Sequence, residues 1–228
     1  MIFDTHAHYD DEAFDGDRPE LLGRLKEAGV GAVMNVAASL GSCRSTLKLA
    51  EAYDWIYGAM GVHPSETGEL DQEGLQWIKE QCGRRKIKAV GEIGLDYYWE
   101  EPAHDIQKKW FEAQMDLARQ VKLPVIIHSR DAAKDTLDMM KAAKAGDIGG
   151  VLTFNNARKL KEVVEYIPLE SIVLETDCPY LAPVPNRGKR NSSLNLPYVV
   201  EAVSQLKGVD PETVVKVTWE NGKRLYRL

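Results

Sequence analysis

Three polar side chains alternate in Asp4-Thr5-His6-Ala7-His8 near the start of the chain. On an extended strand of period two they point to one face, so the two imidazoles converge where the strand ends. Two imidazoles at one edge can chelate a divalent ion, with Asp4 orienting a ligand from behind. A pair of hydrogen-bonded strand-end histidines fits the same pattern. In Val90-Gly91-Glu92-Ile93-Gly94 a carboxylate stands within an apolar run, a costly position unless it is paired or metal-bound. Glycines on either side let another backbone or a ligand come close, and a buried ion pair would satisfy the Glu equally well. His128 closes the apolar run Pro124-Val-Ile-Ile, and Asp177 follows Ile172-Val-Leu-Glu-Thr. Four separate apolar runs therefore end in His6/His8, Glu92, His128 and Asp177, and that recurrence points to metal binding.

Those side chains need strands to carry them. Strands are predicted over Met1–His6, Gly31–Ala37, Trp55–Val62, Ile87–Ile93, Leu123–His128, Gly149–Phe154 and Ser171–Glu175. Helical periodicity lies between them, over Pro19–Ala28, Cys43–Tyr53, Asp71–Cys82, Asp105–Val121, Ala132–Ala145 and Ala157–Tyr166, and then over Leu196–Lys207 and Pro211–Tyr226. Gly29 after the first helix and Asp210-Pro211 before the last supply local punctuation. Repeated βα units imply an α/β protein with a parallel sheet buried on both faces. No linker or charge block divides residues 1–228, so a single domain is expected. Metal-competent residues at many strand ends favour a TIM-like (β/α) barrel, whose site is spread over the C-terminal rim. An open sheet gathers its ligands at one switch point, often beside a phosphate-binding glycine loop, and no such motif occurs here.

Composition excludes several classes. With 44% apolar and 28% charged residues the chain is globular in type, and a net charge of −6 argues against a general nucleic-acid coating protein. One basic cleft remains compatible with that charge. The odd number of cysteines (Cys43, Cys82, Cys178) reads as reduced thiols rather than a disulfide framework. No run approaches the ~20 apolar residues of a membrane span, and Met1-Ile-Phe-Asp-Thr-His does not resemble a signal peptide. The expected location is the cytoplasm, without a membrane or an obligate protein partner.

The stretches FDTHAHYDDEAFD (3–15), GVHP (61–64), GEIGLDYY (91–98), LPVIIHSRDA (123–132), ETDCPYLAP (175–183), NRGKRN (186–191) and ENGKRLY (220–226) resemble the TatD family of metal-dependent deoxyribonucleases. The resemblance runs the length of the chain. It implies an amidohydrolase-like barrel with two divalent ions at its mouth, one held by His6, His8 and Asp177, the second by His128, and Glu92 bridging. The family also carries a further metal-binding histidine on a strand after the His128 unit. Here Lys144-Ala145-Gly146 runs straight into Asp147-Ile-Gly-Gly-Val-Leu-Thr-Phe154, so one βα unit is missing near residues 145–147. The favoured reading is that the native chain holds a segment there which these 228 residues leave out. The rival is a true deletion that compromises the second metal site.

The expected reaction is cleavage of DNA phosphodiester bonds by metal-activated water, with Asp177 and Glu92 as catalytic residues. Mg, Mn, Zn or Ni suits the mixed nitrogen and oxygen donors. His63, Arg130, Arg187, Lys189 and Arg190 are candidate phosphate contacts, and His63 reads equally well as a structural loop histidine. His104 reads as a surface residue, and Trp110, Phe111 and Met115 as core. Two alternatives share this ligand set. One is an amidohydrolase or phosphoesterase acting on a small molecule, and a neutral substrate of that kind would give the Arg187–Arg190 loop no role; the other is a metal-binding protein that has lost catalysis.

Overall fold

The computed structural model describes residues 1–142 and 164–228. These fall into two compact units, one built from residues 1–35 and 164–228, the other from residues 36–142. The predicted strand Gly149–Phe154, most of the predicted helix Ala157–Tyr166 and the junction near 145–147 lie outside the described residues.

In the first unit, β1 (Ile2–Ala7) pairs in parallel with β2 (Val30–Val36), and α1 (Arg18–Glu27) connects them. Pro19 stands in the first turn of α1, where its missing N–H is harmless, and Gly29 (φ +86°) makes the left-handed exit. Near the C-terminus, α6 (Leu196–Lys207) and α7 (Pro211–Tyr226) bury an apolar cluster of Leu174, Leu196, Val199, Val203 and Val214. Asp210 caps α7 by accepting from the Thr213 N–H. Phe3 of β1 meets the rings of Trp219 and Tyr226 on that helix. Gly222 allows this packing, since a Cβ there would stand 2.5 Å from Phe3 Cδ1.

The second unit runs α2 (Leu40–Ala52), β3 (Ile56–Met60), α3 (Gln72–Gln81), β4 (Ile87–Asp96), α4 (His104–Val121), β5 (Val125–Arg130) and α5 (Ala133–Ala142). Strands β3, β4 and β5 pair in parallel, as βα repeats require. Their core contains Met60, Ile78, Val90, Ile93, Trp110, Phe111 and Met115, so the last three are core residues as expected. Ser39 accepts from the Ser42 N–H and starts α2 three residues before the predicted helix. Strand β4 runs to Asp96 rather than Ile93 and so carries a further carboxylate to its end.

The predicted strand Ser171–Glu175 differs more. Leu169–Ser171 is a 3-10 turn, and residues 172–177 form no regular ladder. The segment still runs beside β1, donating from Asp177 N to His6 O and accepting at Leu174 O from Thr5 N. Side chains take over other positions: Thr5 Oγ1 donates to Leu174 O, and Asp4 accepts from the Thr176 N–H and hydroxyl. No helix among the described residues is long and apolar enough to cross a membrane.

Candidate metal centres

Within the first unit the end of β1 and the segment 175–178 hold one cluster. His6 Nε2 and His8 Nε2 lie 3.1 Å apart, and Asp177 Oδ1 is 3.2 Å from His8 Nε2 and 3.8 Å from His6 Nε2. Ligand atoms at ~2.1 Å around one tetrahedral cation are separated by roughly 3.4 Å, so these three donors have the spacing of one ion's ligands. On its other side His6 Nδ1 faces Glu175 Oε2 at 3.6 Å, the kind of carboxylate contact that fixes a ligating imidazole's tautomer. Both histidine side chains are nearly buried, whereas that of Asp177 is 27% exposed and so can be reached by water.

Asp4 organises this cluster from beneath. It is fully buried and accepts from Ser193 Oγ (2.5 Å), Thr176 Oγ1 (2.7 Å), Thr176 N (3.1 Å) and His6 N (3.3 Å). Burial raises its pKa to about 6, against the lowering effect of those hydrogen bonds. The buried Tyr9 hydroxyl lies 2.8 Å from Ser193 Oγ and accepts from Ser193 N. His8 N donates to Cys178 O, and Asn191 Nδ2 donates to Thr176 O. Asp177 itself is left-handed (φ +55°), a conformation that Asp tolerates better than most residues.

The second unit holds a second cluster at the ends of β4 and β5. His128 Nδ1 is 2.9 Å from Glu92 Oε1, and its Nε2 is 3.0 Å from Asp96 Oδ2. The His63 ring stands edge-on to His128 with centroids 4.3 Å apart, and His63, Glu92 and His128 offer donor atoms all within 4.8 Å of one another. His63 Nδ1 engages Ser65, whose hydroxyl is 2.8 Å away and whose N–H donates to it. Burial alone would lower the His128 pKa, but the bond and charge of Glu92, then those of Asp96, carry it above the ordinary value. A histidine between two nearly buried carboxylates is a donor set suited to a cation. Glycines make the approach possible: a Cβ on Gly91 would stand 2.6 Å from Ile126 Cβ, and one on Gly94 (φ +149°) 2.0 Å from His128 O.

Of the sequence-predicted residues, His6, His8 and Asp177 lie together within the first unit, and Glu92 and His128 lie together within the second. His63, which the sequence leaves open between a phosphate contact and a structural loop histidine, stands in the second cluster. Asp96 and Glu175 join these groups as well, and their signal in the sequence is their place in GEIGLDYY and ETDCPYLAP. Arg190 is bound to Asp17 through two bonds of 2.8 and 2.6 Å, donates to Ala13 O and lies over the Phe14 ring. Arg187 and Lys189 are exposed. Arg130 is also exposed, with its guanidinium 3.7 Å from the centre of the Tyr98 ring. His104 is at the surface and stacks on Tyr97 at 3.8 Å. The three cysteines are buried free thiols, and burial pushes Cys82 up to about 12.

A model of the family described as TatD related DNase matches residues 3–149 and 147–227. The chain is 39% identical to YabD of Bacillus subtilis, named as an uncharacterized metal-dependent hydrolase, and the alignment covers all of both chains. It is 33% identical to the similarly named TatD of Mycobacterium tuberculosis, over all of this chain and 98% of that one. The solved structure of YJJV, a TatD homologue from Escherichia coli K12, matches with a TM-score of 0.91 at 28% identity, over all of this chain and 98% of that one. This match and the parallel βα order place the chain in the α/β, TIM-like barrel class.

Proposed function

Since the chain belongs to the TatD family of metal-dependent hydrolases, we propose that it is a deoxyribonuclease that hydrolyses DNA phosphodiester bonds. His6, His8 and Asp177 would hold one divalent cation, and Glu92 and His128, joined by His63, a second. The bridging role for Glu92 that the resemblance implies is part of this proposal, as is the choice among Mg, Mn, Zn and Ni. Divalent cations, when bound, supply Lewis-acid stabilisation of phosphoryl charge and lower the pKa of a reacting water. Asp177, the most exposed member of its cluster, orients the attacking water and accepts its proton. Buried Asp4 holds the peptide of Thr176 against the end of β1, and so holds Asp177 beside His8.

One observation carries the choice of DNA over a small neutral substrate. The basic loop 186–190 is tied to the segment that bears Asp177, through Asn191 N to Pro179 O and Asn191 Nδ2 to Thr176 O. Exposed Arg187 and Lys189 on it, with Arg130 at the end of β5, suit flanking phosphates. The test is cleavage of end-labelled DNA by the purified chain. Chelator should abolish it, Mn or Mg should restore it, and Asp177→Asn or His6→Ala should remove it while leaving the melting curve cooperative. DNA cleavage that persists after complete demetallation, or a metal-loaded protein that hydrolyses small esters but never DNA, would reject this reading.

A further inference from the structure

The turn after β4 carries side chains that neither cluster uses. Tyr98 and Trp99 are adjacent, 55% and 53% exposed, with their rings edge-on at 4.8 Å. Single exposed aromatics need no explanation, but this pair has a cation and a fixed position. The Arg130 guanidinium lies 3.7 Å over the Tyr98 ring, a stacking contact that leaves the planar group available to a further ring or a phosphate. Tyr98 N donates to Asp96 Oδ1 (3.0 Å), and Asp96 Oδ2 is 3.0 Å from His128 Nε2. A single buried carboxylate therefore joins the aromatic turn to the second cluster. The turn is anchored from below as well. Tyr97 N donates to Arg130 O, the Tyr97 hydroxyl donates to Asp135, and the Tyr97 ring stacks on His104.

From these contacts we infer that Tyr98, Trp99 and Arg130 form a platform on which a nucleobase of the substrate strand stacks, setting which phosphate reaches the His128 cluster. The inference rests on the nuclease reading above and adds residues that recognise the base. Every base has a π-face that aromatic rings and guanidinium planes accept, whatever the sequence. Glu100 and Glu101 follow Trp99 directly, which repels backbone phosphate there, whereas Arg130 attracts it. The base so held must be out of its duplex stack.

The test uses the full chain carrying Asp177→Asn with Mn, so that DNA binds without turnover. Its probes are a fluorescent oligothymidylate and an abasic phosphodiester oligomer of equal length and charge. Affinity is read by anisotropy, and contact by tryptophan emission. The oligothymidylate should bind about tenfold or more tightly than the abasic oligomer. Tyr98→Ala with Trp99→Ala should erase that ratio, whereas Tyr98→Phe with Trp99→Phe should retain most of it. Emission should fall on binding, and Trp99→Phe alone should remove most of the fall. A ratio unchanged in the double alanine variant overturns the platform and leaves the nuclease reading intact. Equal loss of both oligomers in that variant also overturns it, since the turn would then serve binding in general. A parent protein that neither binds nor cleaves any DNA rejects the nuclease reading itself, and the platform with it.

Discussion

Both ring nitrogens of His128 meet a carboxylate, and this arrangement governs the second cluster with and without a cation. Removing the imidazole leaves Glu92 and Asp96, both nearly buried, without the group that lies between them. We expect His128→Ala and His63→Ala each to lower the metal bound per chain, read by atomic emission after dialysis, while the His6–His8–Asp177 cluster keeps its share. Unchanged stoichiometry in His63→Ala would remove that residue from the ligand set. A different charge pair sets an acid limit. The Arg190 guanidinium bonded to Asp17 holds that carboxyl below its ordinary value of 3.8. Unfolded chains therefore take up this proton first, so the stabilisation is present above the ordinary value and disappears as pH falls through the lowered one. Melting curves of the parent and Arg190→Gln should differ near neutrality and converge in strong acid; a constant gap would show that Arg190 acts through its packing on Phe14. At this scale the sequence was most readable where a polar residue interrupts an apolar run, as at Glu92 and His128. Asp96 was harder to see, because its importance depends on β4 running three residues further and meeting His128 across the strand pair. His63 was ambiguous because a histidine before proline in a loop carries no periodicity.

Among the elements, glycine decides how closely backbones approach, and two helical glycines give opposite expectations. Gly222 of α7 faces Phe3, itself nearly buried against Trp219 and Tyr226. A methyl group there would force apart a helix and the strand that carries His6, and such overpacking costs typically 1–3 kcal/mol. Gly23 of α1 has nothing within 4 Å of its missing Cβ, so there Ala relieves only chain entropy, worth roughly 0.5–1 kcal/mol. Denaturant melts should show Gly222→Ala destabilised and Gly23→Ala stabilised. An undamaged Gly222→Ala would contradict the packing described for β1 and α7, and a destabilised Gly23→Ala the open space described on α1. Helices and buried strands were legible because their apolar periods are local. The segment after Ser171 was not, since its apolar run reads as a strand while side chains of Asp4, Thr5 and Asn191 take part of its hydrogen bonding. Those partners lie far away in sequence, where no local pattern reports them.

For the whole molecule, the sequence leads to the expectation of a further βα unit near residues 145–147. The family model matches in two pieces that meet at 147–149, and the alignment with YabD extends over 254 positions against the 228 residues here. The alignment length puts extra residues in that relative, on the order of the roughly 30 that one βα unit of a barrel requires, and the break in the family match falls beside the junction. A parallel barrel wall that lost a strand would leave unpaired edges, which proteins normally avoid. The favoured expectation is therefore a native chain that carries a further segment there. Intact-mass measurement of the protein purified from its natural source decides this directly. A value about 3 kDa above 25.5 kDa, at ~110 Da for each of those ~30 residues, would establish the segment and with it room for a further histidine ligand. A mass equal to 25.5 kDa would show the shorter chain to be the native one. His63 would then be the histidine that completes the Glu92–His128 cluster, and His63→Ala should abolish second-metal binding outright. With the longer chain the same substitution should only weaken that binding, so mass and metal content together separate the two architectures.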